Sequence, residues 1–203
     1  ITDAFRFMGS GKHIGKVLIH FDHVELPKEI SGKFITKGKH LVSGGLGGIG
    51  IQLCHYLSER GCQELIIVSR SGIKNGYQSW MLENLPCKVR IIKSSVTQIE
   101  LDENIEMVWH LAGILDDSLF VNMDIKKWKK VIDVKVNGYY NLRKILPETP
   151  IVCFGSVSSL HGNIGQSNYA YANNTLENIS RKDPNTIIIQ LGPVKNVGMA
   201  SNI

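Results

Sequence analysis

Residues 40–50 read HLVSGGLGGIG, with Gly44, Gly45, Gly47, Gly48 and Gly50 set between an apolar run and an amphipathic one. The spacing predicts a strand, a tight turn and a helix. Glycine lets the backbone turn sharply and approach a pyrophosphate. The helix that follows offers unpaired N–H groups and the positive end of its dipole. Residues Ser43, Gly44, Gly45, Leu46, Gly47, Gly48, Ile49 and Gly50 are therefore the candidate phosphate loop of a dinucleotide cofactor. A loop of this kind needs a strand–turn–helix unit, so it commits the chain to an α/β architecture.

The remaining pattern agrees. From about Lys37 onward the sequence alternates strand and helix. Strands are expected at His40–Ser43, Glu64–Ser69, Lys88–Lys93, Met107–Leu111, Ile151–Gly155 and Thr186–Leu191. Helices are expected at Gly48–Arg60, Gln78–Asn84, Asp124–Leu146 and Ser167–Ser180. Alternation of this kind makes a Rossmann-like parallel sheet with crossover helices. One crossover is short: TQIELDEN leaves little room for a helix between the third and fourth strands. The opening ITDAFRFMGSGKHIGKVLIHF reads as helix, turn and strand, and a stretch of linker composition follows it. The expected division is residues 1–36 and residues 37–203.

Composition excludes little but points away from two classes. The longest apolar runs, such as TIIIQL, are too short to cross a bilayer. The net charge of +5 has no basic run interleaved with aromatics, so no nucleic-acid motif accounts for it. An anionic cofactor or an acidic protein partner accounts for it as well. Cys54, Cys62, Cys87 and Cys153 lack metal-ligand spacing and sit in apolar patterns, so no metal is expected and buried reduced thiols fit a cytoplasmic protein. ITDAF has no initiator Met, and the chain reads as part of something longer.

The strand after the glycine loop bears on cofactor identity. A carboxylate at its end would hold a ribose 2′-hydroxyl. This chain has VSRSG instead, and the planar cation of Arg70, flanked by Ser69 and Ser71, suits a 2′-phosphate. NADPH is expected over NADH.

A second set of residues carries chemistry. Ser156 precedes Tyr169 by thirteen positions, and Asn173 follows Tyr169 by four, one helical turn on. In the helix expected over Asp124–Leu146, the residues Ile125, Trp128, Ile132, Tyr139, Leu142 and Leu146 form an apolar stripe. Lys135 falls on that stripe, whereas Lys126, Lys127, Lys129 and Lys130 lie off it. An inward lysine is costly unless it has partners. Beside the Ser–Tyr segment, its ammonium would lower the Tyr169 pKa and hold the hydroxyl as a proton donor.

These motifs, GGLGGIG, VSRSG, WHLAGILDD, VKVNGYYNL, GSVSS and GQSNYAYAN, resemble the β-ketoacyl reductase domain of animal-type fatty acid synthase and modular polyketide synthases. That domain belongs to the short-chain dehydrogenase/reductase superfamily. Ordinary members carry Lys four residues after the Tyr. The synthase reductases exchange it with an Asn of the neighbouring helix, as with Lys135 and Asn173 here. SRSGIKNGYQ is especially similar to the fatty acid synthase, and DAFRFMGSGKHIGKVLI resembles the tail of the enoyl reductase domain that precedes the ketoreductase.

The resemblance implies NADPH-dependent reduction of a 3-oxoacyl chain held on an acyl carrier protein through phosphopantetheine. It implies a homodimeric multienzyme with neighbouring synthase domains. Tyr169, Ser156, Lys135 and Asn173 would be the catalytic set, with Ala112, Gly113, Ser95 and Val96 beside the cofactor. Leu115-Asp116-Asp117 resembles the motif of reductases giving the (3R)-hydroxyacyl product. Two departures stand out: the short third crossover, and a stop soon after GPVKNVGMASNI where a substrate lid and closing strand are expected. A degenerate, non-catalytic nucleotide-binding module of the same multienzyme is the competing expectation.

Arg70→Ala is expected to weaken NADPH by about tenfold or more, since charge-assisted hydrogen bonds contribute about 1.5–3 kcal/mol. NADH should be nearly unaffected. Equal losses for the two cofactors in a binding titration would remove the assignment.

Overall fold

The computed structural model describes residues 2–12 and 35–194, which fall in two compact units divided between Phe34 and Ile35. Of the first unit, helix α1 (Thr2–Gly9) is described, closed by Ser10, whose N–H donates to Arg6 O at 3.0 Å. The strand expected after it lies outside the described residues.

The second unit is built on six strands: β1 (Lys39–Ser43), β2 (Glu64–Val68), β3 (Lys88–Ile92), β4 (Met107–His110), β5 (Ile151–Ser156) and β6 (Thr186–Leu191). All neighbours are parallel, in the order β3-β2-β1-β4-β5-β6. This is a Rossmann-like parallel sheet, as the strand–helix alternation predicts. The order reverses direction between β1 and β4. A crevice opens at such a point beyond the carboxyl ends of the strands.

Apolar residues alternate between two faces, as the pleat demands. Val42, Leu65 and Ile67 point to one face and meet Cys54 and Leu57 of α2 (Gly48–Glu59) and Leu82 of α3 (Gly76–Glu83). Leu41, Ile66 and Val108 point to the other. They meet Tyr139 and Leu142 of α5 (Gly138–Ile145) and Leu176 of α7 (Ser167–Ser180).

Helix α3 begins earlier than the apolar spacing predicts, because Asn75 Oδ1 accepts from Gln78 N at 2.9 Å and fixes the start. Between β3 and β4 the chain makes turns and no helix, as the short crossover predicts. Helix α6 (Ser158–His161) is a single turn after β5 that the sequence reading did not anticipate.

The expected helix Asp124–Leu146 needs correction. It is α4 (Ile125–Ile132), a π-helical turn at Asp133–Asn137, and then α5. Asp124 caps it, with Oδ1 accepting from Lys126 N and Lys127 N at 2.8 Å each. Ile125 is 64% exposed and does not belong to the buried stripe, whereas Val131 is fully buried. Val131 before the π turn and Val136 within it pack against Tyr169 and Ala172 of α7; after it, Tyr139, Leu142 and Leu146 pack on the sheet. A π turn admits an extra residue and so changes the face presented.

The glycine turn depends on the missing side chains. Gly44 has φ +76°, and a Cβ there would lie 2.8 Å from Ala112 N on the neighbouring loop. A Cβ on Gly50 would lie 2.7 Å from Gly45 Cα, so helix and turn touch backbone to backbone. Gly44→Ala should therefore lower unfolding stability by about 1–3 kcal/mol through crowding and strain. Gly76→Ala meets nothing within 4 Å and should be neutral or stabilising. Urea midpoints of the two variants check this.

Candidate active site

Two clefts run along the carboxyl edge of the sheet and share Ile49, Leu111 and Leu191. The first, about 340 Å³, covers the ends of β1, β2 and β4 and the loop after β3. It is lined by Gly44, Leu46, Gly47, Gly48, Ile49 and Gly50, by Ser69, Arg70 and Ser71, by Ser95 and Val96, and by Ala112 and Gly113. Of the expected cofactor residues, Ser43 and Gly45 are not brought to it. Ser43 is fully buried beneath the loop, and a Cβ on Gly45 would lie 3.0 Å from Ile67 in the core.

The cleft fits a dinucleotide. Helix α2 starts at Gly47 with no side-chain cap, leaving its first N–H groups without a side-chain acceptor at the cleft. Arg70 is exposed on the cleft wall. Ser95 Oγ lies 2.8 Å from Thr97 Oγ1, which shapes the loop. Sequence reading missed Lys74 and Gln78. Gln78 donates to Leu46 O at 2.8 Å, tying α3 to the glycine loop, and Lys74 is a second exposed cation lining the same cleft as Arg70.

The second cleft, about 400 Å³, brings Lys135, Ser156 and Tyr169 together from three elements. Lys135 is 2% exposed and sits in the π turn. Its Nζ donates to Phe154 O of β5 at 2.7 Å and stands 5.6 Å from the centre of the Tyr169 ring. Burial pushes the ammonium down to about 8. The Tyr169 phenol is pushed up, chiefly by burial, with Asn173 and Ser156 acting in the opposite direction, so the lowering expected from the Lys135 ammonium gives way to the cost of burial.

Ser156 Oγ accepts from Ser158 N at 3.2 Å and from Ser158 Oγ at 3.0 Å. Its own proton is not taken by Ser158 and can point toward Tyr169 and the cleft. Asn173 does not line the cleft; it is fully buried one turn behind Tyr169. Its Nδ2 donates to Tyr169 O at 2.8 Å, and its Oδ1 is buried with no hydrogen-bond partner in the chain. Asp116 and Asp117 line neither cleft; Asp116 pairs with Lys130 at 2.7 Å, and Asp117 accepts from Gln166 at 2.9 Å. Among the described residues no group of His, Cys, Asp and Glu is arranged to hold a metal ion, and no helix is long and apolar enough to cross a membrane.

The KR domain family model matches residues 38–196. The chain belongs to the ketoreductase (KR) domain family. It is 32% identical over 219 residues to the compactin diketide synthase of Penicillium citrinum, covering 98% of this chain and 8% of that protein. It is 31% identical over 196 residues to a highly reducing polyketide synthase of a Fusarium species, covering 87% of this chain and 8% of that one. The first ketoreductase of the tylosin polyketide synthase shares the fold with a TM-score of 0.72 and 26% identity, over 83% of this chain and 41% of that one. The chain thus spans under a tenth of the length of these two curated relatives. The KR fold binds a nicotinamide cofactor, and the glycine cleft is where this chain has room for one.

One residue of the KR domain escaped the sequence reading. His110 ends β4, is fully buried, and is held down to about 4 by burial, against an ordinary value of 6.5. The unfolded chain therefore binds more protons than the folded one between these two values. Stability is full above about 6.5 and is lost as pH falls through about 4. The loss attributable to His110 is on the order of 3 kcal/mol. Urea midpoints measured across this range should fall on acidification, and His110→Gln should remove that share of the slope.

Proposed function

We propose that this chain reduces a 3-oxoacyl thioester, carried on an acyl carrier protein through phosphopantetheine, to the (3R)-hydroxyacyl thioester with NADPH. It does so as the ketoreductase of a multifunctional synthase of the fatty acid or polyketide type. The loop SRSGIKNGYQ supports the fatty acid side and the relatives support the polyketide side. Neighbouring synthase domains, an enoyl reductase before residue 37 among them, a homodimeric multienzyme and a cytoplasmic location belong to the same proposal.

The observation that carries it is the buried Lys135. A fully buried ammonium 5.6 Å from the Tyr169 ring, supplied by a helix other than the tyrosine's own, has a function to perform there. When bound, the reduced nicotinamide supplies a hydride to the 3-oxo carbon. Tyr169 and Ser156 hold the ketone oxygen, Ser156 through the hydroxyl proton that Ser158 does not take. As negative charge develops on that oxygen, Tyr169 gives up its phenolic proton. The Lys135 ammonium stabilises the phenolate that forms, and its bond to Phe154 O keeps it in place. Arg70, with Lys74 lining the same cleft, would meet the 2′-phosphate.

Lys135→Ala should cut kcat about tenfold or more, each tenfold corresponding to about 1.4 kcal/mol of barrier. Lys126→Ala is the control, because Lys130 pairs with Asp116 and is unsuitable. The assay uses the full-length polypeptide and a 3-oxobutanoyl thioester, with chiral chromatography of the product. Full activity in Lys135→Ala, or a predominantly (3S) product, would overturn the corresponding part of the proposal.

A further inference from the structure

His110 sits where three parts of the reductase meet. Its Nε2 lies 2.8 Å from the backbone carbonyl of Lys135. A carbonyl only accepts, so Nε2 carries the proton. Nδ1 is then an acceptor, and the Ser43 hydroxyl donates to it at 2.6 Å. Ser43 is the last residue of β1, immediately before the positive-φ Gly44, and its Oγ also accepts from Ala112 N at 3.4 Å. One neutral imidazole thus bridges the root of the glycine loop and the π turn that presents the lysine.

The fit is close on the helix side. A Cβ on Gly138 would lie 3.2 Å from His110 Cε1 and 2.7 Å from Val96 Cγ1. The helix therefore comes to the imidazole at a residue without a side chain. The lysine is held at its two ends by different strands, its carbonyl by His110 of β4 and its ammonium by Phe154 of β5. A side chain with four methylenes loses much rotational freedom on burial. Fixing its root reduces the spread of positions open to its charge.

We propose that His110 is a positioning residue for Lys135, holding the π turn so that the ammonium stays between Phe154 and the Tyr169 ring. This rests on the role given to Lys135 above. His110 touches neither substrate nor cofactor, so its effect should appear in turnover and not in binding.

The two arms can be separated by amide replacements. His110→Gln places an N–H near the position of Nε2 and keeps the arm to Lys135. His110→Asn places an acceptor near Nδ1 and keeps only the arm to Ser43. In the full-length polypeptide, with NADPH and a 3-oxobutanoyl thioester, His110→Asn should lower kcat about tenfold with little change in KM, and His110→Gln should stay within about twofold of wild type. His110→Phe, which fills the space without either bond, should match the Asn variant and replaces it if that variant does not fold. In a Lys135→Ala background neither change should lower kcat further.

Equal kcat in the Asn and Gln variants overturns the proposal, since a purely structural histidine would not distinguish them. A loss confined to KM for NADPH also overturns it and assigns His110 to the glycine loop. If Lys135→Ala is impaired but His110→Asn turns over normally, this inference fails and the role of Lys135 survives. If Lys135→Ala is fully active, both fail.

Discussion

A buried cation organises this reductase. Lys135 gives up solvent for one hydrogen bond, to Phe154 O at 2.7 Å, and for the face of an aromatic ring. Burying an ammonium is costly enough that the surrounding structure has to be arranged for it. The arrangement is visible on every side: β5 supplies the carbonyl, α7 supplies Tyr169, and β4 holds the lysine's own backbone through His110. The same burial that makes the charge expensive leaves it close to losing its proton at neutral pH, with an ammonium held down to about 8. A cation so placed responds strongly to nearby negative charge.

The reversal of strand order between β1 and β4 gives the two clefts their common edge. On one side lie the glycine turn and Arg70, and on the other Ser156 and Tyr169. Ile49, Leu111 and Leu191 belong to both, so a ligand spanning the edge passes over an apolar sill. Water is less well held there than among the polar groups on either side. The sheet holds both ends in register because all six strands are parallel and end on the same edge.

Much of this was legible in the sequence, and the failures have physical causes. The β-branched runs ELIIV, KVRII and TIIIQL mark strands because such side chains suit a pleated surface, buried in ELIIV and half-exposed in the edge strands KVRII and TIIIQL. Most of the glycine loop and Arg70 line one cleft, and Lys135 and Tyr169 line the other. Ile125 was expected in the apolar stripe because a regular α-helical period puts it there. The π turn breaks that period, and nothing in DVKVN announces it. His110 reads as an ordinary end to MVWH. Its partner Ser43 is sixty-seven residues away, and no local pattern encodes that distance. Ser43 itself looks like a phosphate ligand by position, yet its hydroxyl is turned inward.

The π turn gives one helix two jobs. Up to and within the turn it packs on α7 through Val131 and Val136; downstream it packs on the sheet through Tyr139, Leu142 and Leu146. Without the extra residue the two halves would share one angular phase, and a single stripe could not serve both neighbours. The turn therefore works like a gear change between two packing surfaces, with the lysine on the joint. Its position along the helix is tied to a count of residues, so a one-residue insertion or deletion there would turn the charge away from the cleft while leaving the composition of the helix almost the same.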